Sequence, residues 1–140
     1  MSVLIITHNL GVVAEICDYV YVMYAGKIME QGDTFELFDH PEHPYTKGLL
    51  SSIPRIGKNQ EYLHTIPGVV PNLLHLPKGC PFSNRCEYAD PKCREQLPEL
   101  YEVREGHRSR CFIHTGENTK PAQAGAADVS SAKQAGKEEA

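Results

Sequence analysis

The chain opens on an unbroken apolar run. Val3, Leu4, Ile5, Ile6 and Thr7 follow one another with no polar alternation, and His8 and Asn9 end the run. A short, continuous, β-branched stretch of this kind reads as a strand buried on both faces of a parallel sheet. The period then changes. Val12, Val13 and Ile16 recur at helical spacing behind Asn9, a residue suited to capping a helix N-terminus. Two short strands are expected next, Tyr19–Met23 and Lys27–Gln31, joined at Ala25-Gly26 and ended by Gly32. Thr34 is the expected cap of a short helix carrying Phe35, Leu37 and Phe38, which Pro41 and Pro44 interrupt. A second helix holds Tyr45, Leu49 and Leu50 and stops near Pro54.

Beyond this point the periodicity disappears. Residues 56–114 are broken by Pro67, Pro71, Pro77, Pro81, Pro91 and Pro98, so no long element fits. A stretch like this does not easily assemble an apolar core, and something other than packing is expected to hold it. Residues 115–140 contain no aromatic residue, no leucine and no isoleucine, a composition expected to form a disordered tail. The pattern therefore divides the chain into residues 1–32, 33–114 and 115–140. A doubly buried strand needs a neighbour on each side, so Val3–Ile6 is expected to belong to a domain that begins upstream of Met1.

Charge and composition narrow the function classes. The formal net charge of −4 offers no basic stripe for phosphates, which argues against a nucleic-acid partner. No apolar run approaches the ~20 residues of a membrane span, and no signal-peptide pattern precedes the first strand, so no direct membrane insertion is expected.

Five cysteines are present, and four of them, Cys80, Cys86, Cys93 and Cys111, follow the spacing C-x5-C-x6-C-x17-C. An odd count without a signal peptide argues against a disulfide framework and for the reducing cytoplasm. Four thiolates from proline-broken loops suit a tetrahedral metal or an iron–sulfur cluster. Neither short gap matches a C-x2–4-C zinc knuckle, which favours a cluster, while zinc and unmetallated thiols stay open. Gly79 would let the backbone approach closely, and Pro81 would stiffen the turn after the first ligand. Cys17 reads as an ordinary buried thiol of the first helix. His8, at the carboxyl end of the expected strand, stands where ligands bind in open α/β sheets.

Several motifs in order carry a resemblance. Ile6-Thr-His8-Asn-Leu-Gly-Val-Val-Ala-Glu15, followed by Val22-Met-Tyr-Ala-Gly-Lys-Ile-Met-Glu-Gln-Gly32, resembles the last part of an ABC-transporter nucleotide-binding domain. Pro41-Glu-His-Pro-Tyr-Thr46 and Leu49-Leu-Ser-Ser-Ile-Pro54 are similar to the His-Pro-Tyr region of the oligopeptide/dipeptide importers. Ile66-Pro-Gly-Val-Val-Pro71, Leu76-Pro-Lys-Gly-Cys80-Pro-Phe-Ser-Asn-Arg-Cys86 and Gly106-His-Arg-Ser-Arg-Cys111 resemble the same subclass's C-terminal extension.

The resemblance implies an α/β fold. Residues 1–32 would be the end of a P-loop ABC-type domain, and residues 33–114 an irregular, cysteine-rich extension. It implies that His8 is the switch histidine at the γ-phosphate of ATP, bound with magnesium in the complete subunit. An imidazole there can donate to a phosphate oxygen in a transfer governed by positioning and electrostatics. The family usually has aspartate where this chain has Asn9. The resemblance also implies a [4Fe–4S] cluster on Cys80, Cys86, Cys93 and Cys111, with His107 behind the ligands rather than among them. The implied partners are a second ATP-binding subunit and membrane permease subunits. The implied place is the cytoplasmic face of the membrane, as a peripheral protein.

No Gly-Lys pair in the chain is followed by Ser or Thr, so no G-x-x-x-x-G-K-[ST] loop is present. The Q-loop, signature motif and Walker B carboxylates are missing too. The expectation is the C-terminal portion of a subunit that does not hydrolyse ATP alone. Two readings from other classes compete with it: a stand-alone iron–sulfur or zinc-binding module, and a zinc-stabilised interaction domain. The first leaves Val3–Ile6 without a partner strand, and the second lacks a basic, aromatic-interleaved patch.

Overall fold

In the computed structural model, residues 1–53 and 65–114 are described. Helix α1 (Leu10–Ile16) is capped by Asn9, whose side chain accepts from the backbone N–H groups of Gly11 and Val12. Strands β1 (Tyr19–Tyr24) and β2 (Lys27–Asp33) form the expected hairpin. Ala25 and Gly26 both take positive φ, 48° and 76°, the pairing that a tight two-residue turn between right-twisted strands requires. Helix α2 (Thr34–Asp39) follows at once, and helix α3 (Pro44–Ser51) after it. The cap of α2 is Asp33 rather than Thr34, because the Asp33 carboxylate accepts from Phe35 N at 2.9 Å. Thr34 instead turns its hydroxyl to the Cys17 carbonyl, 2.5 Å away, and ties α2 to the end of α1.

The second half of the chain supplies helix α4 (Pro91–Glu95) and strands β3 (Tyr101–Arg104) and β4 (His107–Ser109). A one-turn 3-10 helix, Phe112–His114, closes it. The sheet has the order β1-β2-β4-β3, and all its pairings are antiparallel. β4 reaches β2 through Glu30↔Ser109 and Gln31↔Arg108, so a strand about 77 residues downstream completes the centre of the sheet. The architecture is a small α/β fold on an antiparallel sheet.

Residues 3–6 pair with no strand of the described sheet, and Val3, Leu4 and Ile6 are 68%, 85% and 94% exposed, while the neighbours expected for them lie outside this chain. Extended backbone becomes a strand only when a neighbour takes its hydrogen bonds. Two expectations are corrected. The proline-broken region is not without a core, since Cys80 and Phe82 belong to the main apolar cluster with Tyr24 and Met29. Tyr24, Tyr45 and Phe82 meet in an aromatic group with centroids 4.7–5.4 Å apart, each pair contributing about 0.5–1.5 kcal/mol beyond its buried area. Cys17 is half-buried at the C-cap of α1 rather than enclosed. The expected tail at 115–140 lies outside the described residues.

At the centre of the fold lies a charge. Glu30, fully buried on β2, accepts from Glu42 N at 2.7 Å and His43 N at 3.0 Å, and its Oε1 stands 2.7 Å from Nε2 of the equally buried His107. Burial pushes the Glu30 carboxyl up. The His107 ring, the nearby Thr46 hydroxyl and the two backbone donors outweigh that and leave it below the usual value, so the group is a carboxylate. One side chain thereby joins β2, the start of α3 and β4. Glu30→Ala should destabilise the chain by about 3–5 kcal/mol, because His107 and two backbone N–H groups would be left buried without an acceptor. Denaturant titration of the two chains measures this, and a loss below ~1 kcal/mol would remove Glu30 from its central place.

His43 adds a pH dependence. Burial lowers its pKa from 6.5 to about 4, and its Nδ1 accepts from Tyr45 N at 3.0 Å, a role that needs an unprotonated nitrogen. The unfolded chain takes up this proton first. The contribution of His43 is therefore complete above pH 6.5 and is lost as pH falls through about 4, on the order of 3 kcal/mol in all. Glu30, also lowered, acts in the same direction below its unfolded value of 4.5. Denaturation midpoints should hold steady between pH 7 and 8 and fall steadily between pH 6.5 and 4.

Candidate functional site

The four cysteines of the C-x5-C-x6-C-x17-C pattern line one cavity of about 120 Å³. Phe82, Pro98 and Phe112 give it apolar walls, and His43 closes one side. Cys80 and Cys111 are buried, Cys86 and Cys93 half-buried, and all are free thiols.

The lobe from 79 to 96 is built on backbone bonds. Cys80 N donates to Cys93 O at 2.7 Å and closes the ends of the lobe on each other. Within it, Ser83 N reaches Cys80 O, Arg85 N reaches Phe82 O and Ala89 N reaches Cys86 O, each within 3.0–3.3 Å. Asp90 caps α4 by accepting from Cys93 N at 2.9 Å, and the Asp90 carboxyl lies below its usual range because of that backbone hydrogen bond. Gly79 lies against Cys93: a Cβ there would sit 2.3 Å from the Cys93 carbonyl oxygen. Cys111 comes from elsewhere. It follows β4, where Arg110 N donates to Met29 O at 2.7 Å and the Arg110 guanidinium donates to Ile28 O and Pro98 O at 2.8 and 2.9 Å.

The sulfurs share one electrostatic environment. Burial pushes the Cys111 thiol up to about 11, and the charges of Cys86, Cys80 and Cys93 act in the same direction. Burial also raises Cys80, Cys86 and Cys93. Against this, the backbone of the residue two positions on, Phe82, Tyr88 and Ile113, lowers Cys80, Cys86 and Cys111 respectively without outweighing burial. That effect favours the thiolate, so the lobe offers partial compensation for charges that its apolar walls oppose. A cation bound among them would supply the rest. Among the described residues, no three His, Cys, Asp or Glu side chains converge tightly enough to share a single metal ion.

The other expected residues lie apart. His8 is exposed immediately before α1 and is not among the residues lining the cavity. His107 does not stand behind the cysteines: it is held by Glu30, and the ring that does face the cavity is His43. Glu30, His43 and Arg110 build the site although none of them is among the candidate residues of the sequence. The His-Pro-Tyr run was a signal for His43, since a cap followed by Pro at the first helical position marks a helix start. Glu30, inside a strand, gave none. Among the described residues no helix is long and apolar enough to cross a membrane.

Gly79→Ala should lower stability by about 1–3 kcal/mol and open the lobe, because the added carbon must displace the Cys93 backbone. Limited proteolysis would show new cleavage between residues 79 and 96, and an unchanged pattern would deny the close approach its importance.

Comparison with known proteins fits the motif order. Residues 29–93 match the family described as the oligopeptide/dipeptide transporter, C-terminal region. The chain is 53% identical over 112 residues to the oligopeptide transport ATP-binding protein OppD of Haemophilus influenzae, covering 80% of this chain and 34% of that protein. It is 50% identical over 111 residues to OppD of Escherichia coli, covering 79% and 33% respectively. A putative peptide import ATP-binding protein of Brucella ovis is 52% identical over 118 residues, 80% of this chain and 35% of that protein. The chain thus spans about a third of the length of these relatives. Residues 29–93 are similar to the oligopeptide/dipeptide transporter C-terminal region, and about four-fifths of the chain is similar to about a third of the length of the oligopeptide transport ATP-binding proteins.

Proposed function

We propose that this chain serves as the C-terminal part of an ATP-binding subunit that powers import of short peptides. The observation that carries the reading is the collinear identity, over four-fifths of the chain, with proteins named for oligopeptide transport and ATP binding. The subunit would pair with a second ATP-binding subunit beneath membrane permease subunits, at the cytoplasmic face. Magnesium-bound ATP would be held chiefly by the phosphate loop and carboxylates of the complete subunit, motifs this chain does not carry.

Within that subunit His8 would contact the γ-phosphate. Its imidazole, exposed ahead of α1, is free to donate to a phosphate oxygen, and such a donor acts most where charge develops in the transition state. In a complete subunit carrying this sequence, His8→Ala should cut ATP turnover at least tenfold with nucleotide affinity nearly unchanged. Parallel turnover and nucleotide-binding assays separate the two effects, and wild-type turnover would take His8 out of the mechanism.

Cys80, Cys86, Cys93 and Cys111 would hold a [4Fe–4S] cluster. Support comes from the cavity that all four cysteines line and from its apolar walls. A zinc ion would draw four sulfurs to one point at about 2.3 Å each, whereas a cluster takes its thiolates spread around a larger body. A bound cluster would supply cross-links between the lobe and the sheet, and Phe82 and Phe112 would keep water from it. Prepared without oxygen, the chain should be brown, with about four irons and matching sulfide. Stoichiometric zinc without iron or sulfide would overturn this assignment.

A further inference from the structure

We propose that the turn at Asn72–His75 docks on an anionic lipid surface without spanning it, Leu73 and Leu74 entering the headgroup boundary and Lys27 and Lys78 meeting the lipid phosphates. Asn72 closes the turn twice. Its side chain accepts from Leu74 N at 2.9 Å, and its carbonyl accepts from His75 N at 3.0 Å. Leu73 and Leu74 therefore hold the two central positions of a tight turn, where Gly, Pro, Asn, Asp and Ser are the usual residues. They are 66% and 86% exposed, and Val69 and Val70 just before them are 79% and 54% exposed. With so little of their surface removed from water, these aliphatic side chains add little to the stability of the fold.

The backbone that carries them is nonetheless fixed. Arg85 donates to the carbonyls of Ile66 and Pro67, each at 3.0 Å, and Asn84 donates to that of Val69 at 3.3 Å. Ile66 lies close against α3, where a Cβ on Gly48 would stand 2.7 Å from its side chain. The apolar turn is thus displayed on an anchored strap, which lowers the ordering cost of docking.

Charge selects the occupant. Residues 65–86 contain no Asp or Glu, in a chain that has 18 of them, and they carry Lys78 and Arg85. Just after the turn, Lys78 and Lys27 line a hollow of about 260 Å³ with Leu76, Pro77 and Leu97. Exposed aliphatic groups bordered by lysines fit a bilayer surface: the apolar tips enter the acyl boundary while the ammonium groups stay among the phosphates. A second copy docked strap to strap would instead bring the lysines of both copies together, which like charge opposes. A protein partner would need a pocket shaped to two adjacent leucines on a turn, whereas lipid needs no such match. The membrane-face location proposed above makes a lipid surface available, but the test below does not depend on that reading or on the cluster.

The test is flotation of the full chain with vesicles of phosphatidylcholine, alone or with about 30% phosphatidylserine. Affinity for the mixed vesicles should be at least tenfold higher than for phosphatidylcholine alone. That preference should shrink at least threefold when salt is raised from ~0.05 M to ~0.5 M. Leu73→Ser/Leu74→Ser and Lys27→Glu/Lys78→Glu should each weaken binding at least tenfold, with unchanged circular dichroism because all four side chains are exposed. Leu4→Ser/Ile6→Ser, which removes apolar groups exposed elsewhere, should bind like wild type. Should a strap double variant fail to fold, Leu74→Ser alone, at the most exposed position of the turn, carries the comparison. No binding to mixed vesicles, or binding that the strap variants leave unchanged, would overturn the proposal. Loss of binding in Leu4→Ser/Ile6→Ser but not in the strap variants would overturn it too, by moving the contact to residues 3–6. Protection of position 74 from labelling by a protein partner, without vesicle binding, would assign the turn to that protein instead.

Discussion

The fold depends on one buried carboxylate. Glu30 sits in the middle of β2, and everything around it comes from a different part of the chain: the start of α3 through Glu42 N and His43 N, and β4 through His107. An isolated carboxylate at this depth would cost several kcal/mol, so the site is tolerable only because each contact is a hydrogen bond to the ionised form. The same requirement makes it selective. A register slip in β4, or an α3 starting one residue away, would leave the charge without its donors.

The geometry of the cysteine cavity follows from that anchor. Glu30 fixes His43, and His43 forms a wall of the cavity and packs tilted against Phe82, ring centroids 5.9 Å apart. The pairing of β4 with β2 places Arg110, and Arg110 places Cys111. The lobe that carries the other three cysteines is fastened separately. Phe82 packs on Tyr24 and Tyr45, while Arg85 donates to the carbonyls of Ile66 and Pro67 and to the Tyr24 hydroxyl. The cavity thus lies where the cysteine lobe packs on the Tyr24 and Met29 core of the sheet.

The His-Pro-Tyr run acquires a physical meaning in this frame. His43 caps α3 through its ring nitrogen rather than a hydroxyl or carboxylate, Pro44 occupies the first helical position, and Tyr45 turns into the aromatic group. Burial keeps the His43 ring neutral, which preserves its acceptor nitrogen. Three consecutive residues therefore start a helix, wall the cavity and extend the core.

Local chemistry was legible in the sequence. Asn9 as a cap, Ala25-Gly26 as a turn and the breaks at Pro41 and Pro44 all depend on neighbours in the chain, and each stands as its local pattern implied. Readings that needed a distant partner fared differently. Val3–Ile6 has the composition of a buried strand, yet a strand exists only when another takes its hydrogen bonds, and none of the described ones does. His107 looked like a companion of Cys111 because it is four residues away, but β4 turns its ring toward Glu30 instead. The alternation around Gly106 was too short to announce a hairpin, and only its pairing with β2 made one. A buried glutamate has no sequence signature, because its stability comes from donors gathered across some seventy residues of chain, a grouping that only the folded structure creates.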